Sequence, residues 1–512
     1  MVDTVGAHLQ FLRCTGAPWC GCCGAMTQSE KMFRRRGWPL AAMLLFGFLP
    51  VSAQNLPEET LKVYTEHPRL FLNAHRLKLL QREKERRSMR WQQFELLMAG
   101  HAPMPETGFA SALYYRAGQD QDSGRRAVAW ALSSGSEARS GGELRPGTDL
   151  RQLALVFDWC QELLTPAQSR ALALKLQKGI EQSQRDRSVA AARSRLLAAV
   201  ALGDHLQEVS TQEIERLIRT WWRGEIAPAL QAGRDVIGRD GLYPLFELLH
   251  AVRDNLNIDL RENAPAFFKN LVTFDLLSYY PAIYPAPEGE YHIPASKGGG
   301  EPDLRRAMLA RAAELAMVPY DPNGPENQVL QGWLMHDNFI MRGTFGITYE
   351  FLWANPYHPG LSYYLVPLVF HDELFGRLFL RSNWEESSRW LGYFQGELQL
   401  FEDGKVTILN PEISAGPLSL DTAVVYFGKN ALKFQTLVNE GEEVFVLGLR
   451  PRRVYQIEVD DEEMAEGKTD AGGILALKVP AKVQVGVRLR ETPVSTPTRD
   501  GARPRDENKP GA

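Results

Sequence analysis

Two stretches of this chain concentrate the side chains that move protons and stabilise negative charge. In the first, Tyr279-Tyr280-Pro-Ala-Ile-Tyr284-Pro-Ala-Pro-Glu288-Gly-Glu290-Tyr291-His292-Ile-Pro294 continues through Lys297 and three glycines to Arg305. In the second, Arg239-Asp240-Gly241-Leu242-Tyr243 leads to Glu247, His250, Arg253 and Asn255. Tyrosine and histidine serve as general acids and bases, while Asn, His and Arg stabilise charge that develops in a reaction. Tyr291 and His292 are therefore the first candidate catalytic groups, joined by Tyr243 and His250. Tyr284 and Arg305 are candidate substrate contacts. Tyr243, Glu247 and His250 are spaced by four and three residues, so a helix aligns them on one face. That spacing fits a partly buried polar patch equally well, and the aromatics of the first stretch could simply pack a loop onto the body beneath. A third group, His336-Asp337-Asn338 with Arg342, adds a second histidine and an amide. His336 and Asn338 join the candidate substrate contacts, against the plainer reading of a polar turn bonded to its own backbone.

Other chemistries lack their residues. There is no HExxH or other paired metal-ligand spacing, no phosphate loop, no dinucleotide fingerprint and no Gly-x-Ser-x-Gly elbow. No metal and no cofactor are expected. Asp460-Asp461-Glu462-Glu463 reads as a solvated turn before it reads as a calcium site. With 44% hydrophobic residues, 23% charged residues and a net charge of −4, the composition is that of an ordinary globular protein and excludes a nucleic-acid binder.

These groups must be positioned by a chain whose pattern changes once. Apolar residues recur at helical spacing over 74–99, 125–133, 149–164, 166–185, 190–203, 211–233, 260–278, 304–316 and 327–335. Thr165 before Pro166 predicts a capped helix start, and Thr211 predicts another. Proline and glycine make the Tyr291-His292 stretch a long loop over that body. Beyond Asp372 the pattern turns to short strands at 374–381, 390–395, 397–401, 423–427, 444–449, 454–459, 474–478 and 483–490. Runs of helices followed by runs of strands predict segregated layers and disfavour an alternating α/β sheet.

Three arginines after Met32 precede an apolar run ending in Val51-Ser52-Ala53, the three parts of a secretory signal, with cleavage expected after Ala53. A retained membrane anchor is the alternative. Residues 1–31 then read as an over-extended start, and they contain Cys14, Cys20, Cys22 and Cys23. The remaining chain keeps Cys160 alone and must be held by its core. Residues 492–512, without apolar anchors, read as a disordered tail.

Several segments resemble the heparinase II/III-like family. They are His67-Pro68-Arg69-Leu70-Phe71 before a charged helix with Trp91, Tyr114-Tyr115-Arg-Ala-Gly-Gln with Arg126 to Trp130, and Ala154-Leu-Val-Phe-Asp158-Trp159 before Thr165-Pro166. Arg381-Ser-Asn-Trp384 and Trp390-Leu-Gly-Tyr393 resemble the family's first sandwich strands. The resemblance implies an α+β multidomain chain: an incomplete (α/α) toroid over 54–371, then a small antiparallel β-sandwich over 372–491. It also implies a secreted or periplasmic protein that cleaves an acidic, uronic-acid-containing polysaccharide by β-elimination. That reaction needs a base, here Tyr or His, and groups that neutralise the carboxylate beside the departing proton. A helical-toroid glycoside hydrolase, using paired carboxylates such as Asp240 and Glu247, and a non-catalytic glycan-binding surface protein are the alternatives. Asp158 and Trp159 read as a ring packed in the core beside a carboxylate that pairs with a neighbouring turn. Leu449-Arg-Pro451-Arg-Arg-Val-Tyr455 resembles the corner of fibronectin-III-like sandwiches, where the tyrosine hydroxyl ties to the backbone.

Overall fold

The computed structural model describes residues 61–133, 150–286, 289–300, 302–336, 343–412, 416–428, 431–461 and 463–492. The signal-like segment, the cysteine-rich start, the tail beyond 492, and Asp337, Asn338 and Arg342 lie outside the described residues.

The helices are α1 (Ala74–Glu85), α2 (Met89–Ala99), α3 (Thr107–Gly118), α4 (Gln121–Leu132), α5 (Leu150–Trp159), α6 (Pro166–Ser183), α7 (Val189–Ala201), α8 (Gln207–Glu215), α9 (Ala227–Gln231), α10 (Leu242–Leu256), α11 (Pro265–Leu277), α12 (Leu304–Met317), α13 (Pro325–His336) and α14 (Ile347–Trp353). Local chemistry sets several boundaries. The long helix expected over 74–99 breaks at Arg87, whose φ of 50° is left-handed, and the Ser88 side chain caps the new start by accepting from the Trp91 amide. Thr165 forms a full capping box with Gln168, with Pro166 in the first turn. Thr211 is no cap. It lies inside α8, which widens through a π-helical stretch, Arg216–Ile226, before α9.

Pairwise packing runs in a circuit: α3 against α5, α5 against α7, α7 against α10, α10 against α12, α12 against α14, and α14 back against α3. Arg69 and the turn before α1 are fastened to this circuit by Asp158. Its buried carboxylate accepts from the Arg69 amide at 3.0 Å, the Leu70 amide at 2.8 Å and His67 Nδ1 at 2.5 Å, while Trp159 Nε1 donates to the Leu70 carbonyl at 2.8 Å. The sequence expectation for this pair is met in both halves.

The stretch expected to be a loop is a hairpin, β1 (Tyr279–Ala286) paired with β2 (Gly289–Pro294), Tyr284 opposite Tyr291. A two-stranded sheet is all edge, so its prolines remove no essential ladder bond. Behind it the strand-patterned end is larger than the small antiparallel sandwich expected. β3 (Val369–Asp372), β4 (Arg377–Arg381), β5 (Trp390–Phe394), β6 (Glu397–Glu402) and β7 (Lys405–Leu409) form a five-stranded meander. A four-stranded sheet follows, with β14 (Leu475–Leu477), β11 (Glu443–Leu447), β9 (Ala423–Phe427) and β8 (Leu418–Ser419) in that order, and β9 pairs β11 in parallel. The last sheet orders β10 (Ala431–Thr436), β15 (Val485–Glu491), β12 (Val454–Val459) and β13 (Glu463–Lys468).

The period-2 alternation of side chains stacks these sheets. Phe379, Trp390, Phe394 and Phe401 join the core of the helical body, while Leu378, Leu380, Leu391 and Tyr393 on the opposite face pack against Ala423, Val425, Phe445 and Leu447. Val424, Tyr426, Val444 and Val446 then face Tyr455, Val485, Val487 and Leu489. The order is helical body, sheet, sheet, sheet. The fold is mixed α+β. Tyr455 is fully buried, and its hydroxyl accepts from the Arg450 amide at 3.3 Å. Among the described residues, no helix is long and apolar enough to cross a membrane.

Removing the Asp158 carboxylate leaves two buried amides without an acceptor. Asp158→Ala is expected to lower the unfolding free energy by about 3 kcal/mol, measured by urea denaturation; an effect below about 0.5 kcal/mol would contradict the role given to it.

Candidate functional site

The second candidate stretch of the sequence closes into the middle of the helical circuit. Glu247 on α10 is fully buried and receives Arg151 of α5 in a two-pronged contact, Nε to Oε2 at 2.9 Å and Nη2 to Oε1 at 2.7 Å, and Arg193 of α7 on Oε2. The Tyr243 hydroxyl donates to Glu247 Oε1 at 2.6 Å and accepts from Trp353 Nε1 at 3.2 Å. Arg151 Nη1 also donates to Glu106 at 2.9 Å, and Glu106 accepts from the Tyr349 hydroxyl. Burial alone would raise the Glu247 pKa; the Arg151 and Arg193 charges outweigh it and hold the carboxyl below its ordinary value. Burial, then the Glu247 charge, drives Tyr243 well above the ordinary phenol value, so it stays a neutral donor.

His250 is equally enclosed. Nε2 donates to the Ala316 carbonyl at 2.9 Å, Nδ1 accepts from Arg253 at 3.2 Å, and the ring lies 4.7 Å from Trp353 and 5.0 Å from Tyr320. Burial, reinforced by the Arg76 and Arg253 charges, keeps the imidazole neutral. Both nitrogens are committed. Tyr243 and His250 thus share a helix but face no groove, which is the buried-patch reading of their spacing. The paired-carboxylate reading also separates: Glu247 is sealed, while Asp240 is an exposed partner of Arg306 at 3.1 Å.

The first and third candidate groups do meet. His292 on β2 lies 4.8 Å from the Trp333 ring, Trp333 lies 5.3 Å from Tyr363, and Tyr363 lies 5.1 Å from His336. Trp384 closes on Tyr363 at 5.3 Å, with the buried Arg381 guanidinium 4.5 Å above its ring. The Leu361 carbonyl crosses so close to Gly332 that a Cβ there would lie 1.7 Å from it, so only glycine lets this segment seat beside Trp333. His336 is exposed at the rim, and Tyr291 is buried, with 3% exposure, between hairpin and body. Burial, then the Arg311 and Arg381 charges, pushes His292 down to about 4.

Beneath the hairpin lies a second buried ion cluster that sequence reading missed. The Tyr279 hydroxyl donates to Glu314 Oε1 at 2.6 Å, Arg311 pairs with Glu314 at 3.1 Å, and Arg239 pairs with Asp275 at 2.9 Å while stacking 4.3 Å from the Tyr279 ring. Burial, with the Glu314 charge adding to it, raises Asp275 well above the usual carboxylate range. On the far side of Arg239 a cleft of about 450 Å³ opens between the helical body and the first sheet. Arg239, Lys297, Arg306 and Arg377 line it together with Asp235 and Asp240, and Phe274, Phe375, Phe379 and Phe394 supply apolar walls. Arg377 lies 3.7 Å over Phe274 and is oriented by Asp372 at 2.9 Å.

Of the candidate substrate contacts, Tyr284 is exposed on the hairpin and Arg305 is exposed at the start of α12, its guanidinium 5.6 Å from Phe345. Neither lines the cleft. Arg151 carried a readable signal, being the one cation inside the apolar run of α5, as did Arg193 and Arg195 within the alanine- and leucine-rich α7, whereas Arg306 and Arg377 of the cleft look like any surface arginine in sequence.

Two outcomes follow for stability. Glu247→Gln strips one partner from a sealed charge network and is expected to cost about 3–5 kcal/mol, whereas Asp240→Asn, in an exposed pair, should cost under about 1 kcal/mol in the same denaturant titration. His292 has a folded pKa of about 4 against 6.5 when free, so the unfolded chain takes up the proton first and the stability due to neutral His292 is full above pH 6.5 and lost as pH falls towards 4. At most about 3 kcal/mol is involved. A His292→Gln variant should show a shallower loss over that window, and parallel curves for variant and parent would refute the assignment.

No protein-family model and no curated protein matches the sequence. Among solved structures, the chain is similar to one described as "Glycoside hydrolase", at 10% identity and a TM-score of 0.29, over 76% of this chain and 71% of that one. A TM-score that low assigns neither fold nor activity, so the functional reading rests on the geometry of the chain itself.

Proposed function

We propose that this protein binds an acidic polysaccharide along the seam between its helical body and its first sheet. The observation that carries the reading is the cleft of about 450 Å³ where Arg239, Lys297, Arg306 and Arg377 meet phenylalanine walls. Cations in a partly dry groove attract carboxylate or sulfate groups, and aromatic faces accept the apolar faces of sugar rings. Arg239 leads from this cleft to Tyr279, and Tyr279 leads to His292 at 6.5 Å and Trp333 at 6.0 Å, so cationic and aromatic surfaces adjoin. In this reading the helical circuit is the (α/α) toroid, the first sheet is the wall of its cleft, and the protein works outside the cytoplasm.

A second reading, β-elimination of a uronic-acid-containing polymer, is favoured by the meeting of His292 and His336 around Trp333 and Tyr363. It ranks second because a histidine at about 4 is a weak base at neutral pH, and because Tyr243 and His250 are enclosed elsewhere.

Purified protein titrated with heparin-type, alginate and pectic polymers tests both. Saturable, salt-sensitive binding to at least one polymer is expected, weakened about tenfold in a Lys297→Ala, Arg306→Ala double variant, a difference of about 1.4 kcal/mol. Absence of binding to every polymer sinks the proposal. Growth of absorbance from an unsaturated sugar, lost in His292→Ala, would promote the lyase reading. Reducing sugar without that absorbance would point to hydrolysis.

A further inference from the structure

A histidine pair separated by more than a hundred residues meets one carboxylate at the turn after α7. His67 Nε2 lies 3.1 Å from Asp204 Oδ2, and His205 Nε2 lies 3.8 Å from Asp204 Oδ1. One ligand atom from each of the three residues falls within 4.8 Å of the other two. Zinc-class ions bind imidazole nitrogen and carboxylate oxygen at about 2.0–2.2 Å, so tetrahedral ligand atoms stand about 3.3–3.5 Å apart. Measured to the single oxygen Oδ1, the His67 and His205 nitrogens stand at 3.3 and 3.8 Å, close to that spacing. Asp204, whose side chain is 49% exposed, has room to make the adjustment, and it leaves the group reachable from solvent.

Two features around these atoms point the same way. His67 Nδ1 donates to the buried Asp158 carboxylate at 2.5 Å, which fixes the ring and aims Nε2 at Asp204. A histidine that gives its other N–H to a carboxylate is the arrangement that metal-bound imidazoles show, with the outer carboxylate raising ligand basicity. Gln161 places its amide nitrogen 2.8 Å from His205 Nε2, while its carbonyl Oε1 is buried with no hydrogen-bond partner. The two ends of an amide are interchangeable by a half-turn, and that turn aims the carbonyl into the group and frees the His205 lone pair. Arg69 opposes a cation here, its Nη2 lying 3.3 Å from Asp204 Oδ2. Asp158 and Asp204 carry two negative charges against the one of Arg69, so the surroundings keep a net negative charge for a divalent ion.

We propose that His67, Asp204 and His205 form a binding site for one divalent transition-metal ion of the zinc class, with Asp158 as the outer carboxylate. Three protein ligands leave a fourth position for water or for the turned Gln161 carbonyl. The ion would join the segment before α1 to the turn between α7 and α8, two parts of the chain also tied by Arg69, which contacts Asp204 and the Val200 carbonyl. The site is separate from the seam, since none of these residues lines the cleft.

Cobalt(II) is the probe. The untagged full chain, freed of metal by chelator, is titrated with cobalt while visible absorption and equilibrium dialysis report coordination and stoichiometry. Expected are a saturable tetrahedral spectrum, a higher melting temperature with metal, and affinity at least about tenfold weaker in Asp204→Asn and in His205→Gln. Both substitutions are at partly exposed side chains, and melting without metal checks that each variant folds. Gln161→Glu, which adds a charged ligand, should tighten binding and serves as the second test. Cobalt binding that is absent, or that persists unchanged in Asp204→Asn and His205→Gln with a thiolate charge-transfer band from the cysteines at 14–23, overturns the proposal.

Discussion

One sealed carboxylate sets the terms for the helical body. Glu247 sits at 0% exposure, where an uncompensated charge would be intolerable, and it is matched by Arg151 from α5 and Arg193 from α7. Glu106, Tyr243, Tyr349 and Trp353 satisfy the remaining donors and acceptors, so the network draws on α5, α7, α10 and α14 at once. Apolar stripes alone would let helices slide past each other by a turn at modest cost. Three directional partners converging on one carboxylate, Arg151, Arg193 and Tyr243, with Trp353 held through Tyr243, do not permit it. The positions of the hairpin, the cleft and the Asp158 clamp are all measured from helices fixed in this way.

The first sheet inherits that precision because its inner face is also the outer wall of the body. Trp390 Nε1 donates to the Leu277 carbonyl at 2.7 Å, and Gln399 accepts from the Tyr280 hydroxyl at 2.8 Å while donating to the Ser296 carbonyl at 2.8 Å. Sheet, hairpin and α11 are therefore one rigid frame around the cleft. The second sheet packs on the opposite face of the first, the third packs on the second, and neither lines the cleft; Gly376, with a φ of 65°, lets the β3–β4 turn abut Gly472.

The same residue types serve three purposes in this chain, and burial separates them. In the Glu247 network, ionised groups are paired and closed to solvent. In the Asp275 and Glu314 pair, two carboxylates lie against Arg239 and Arg311, and Asp275 is driven towards its neutral form by burial and by its neighbour. In the cleft, Lys297 is exposed and Arg306 is half-buried in an ion pair with the exposed Asp240, so these cations are reachable from solvent. Arg239 belongs to the second group by its partners and to the third by its place on the cleft wall. It links the internal charge balance to the surface.

Sequence by itself determined many of the elements, because their signals are local, although α3, β7 and β10 escaped it and the β1–β2 hairpin read as a loop. Helix periodicity, the Thr165-Pro166 cap, the strand pattern at 374–381 and the Tyr455 corner all depend on residues a few positions apart. It also placed Asp158 and Trp159 correctly as a clamp. The tertiary structure alone decided which chemical groups share a space. Tyr243 and His250 had the right types and spacing for catalysis, yet helices from elsewhere in the chain enclose them. His292 and His336 stand in separate stretches that Trp333 and Tyr363 bring together, while Arg377 joins Arg239 and Arg306 only when the first sheet docks on α11. Spacing along a chain fixes which face of an element a residue occupies. Whether that face meets solvent, a ligand or another helix depends on contacts between residues far apart in sequence, and local pattern carries no term for them.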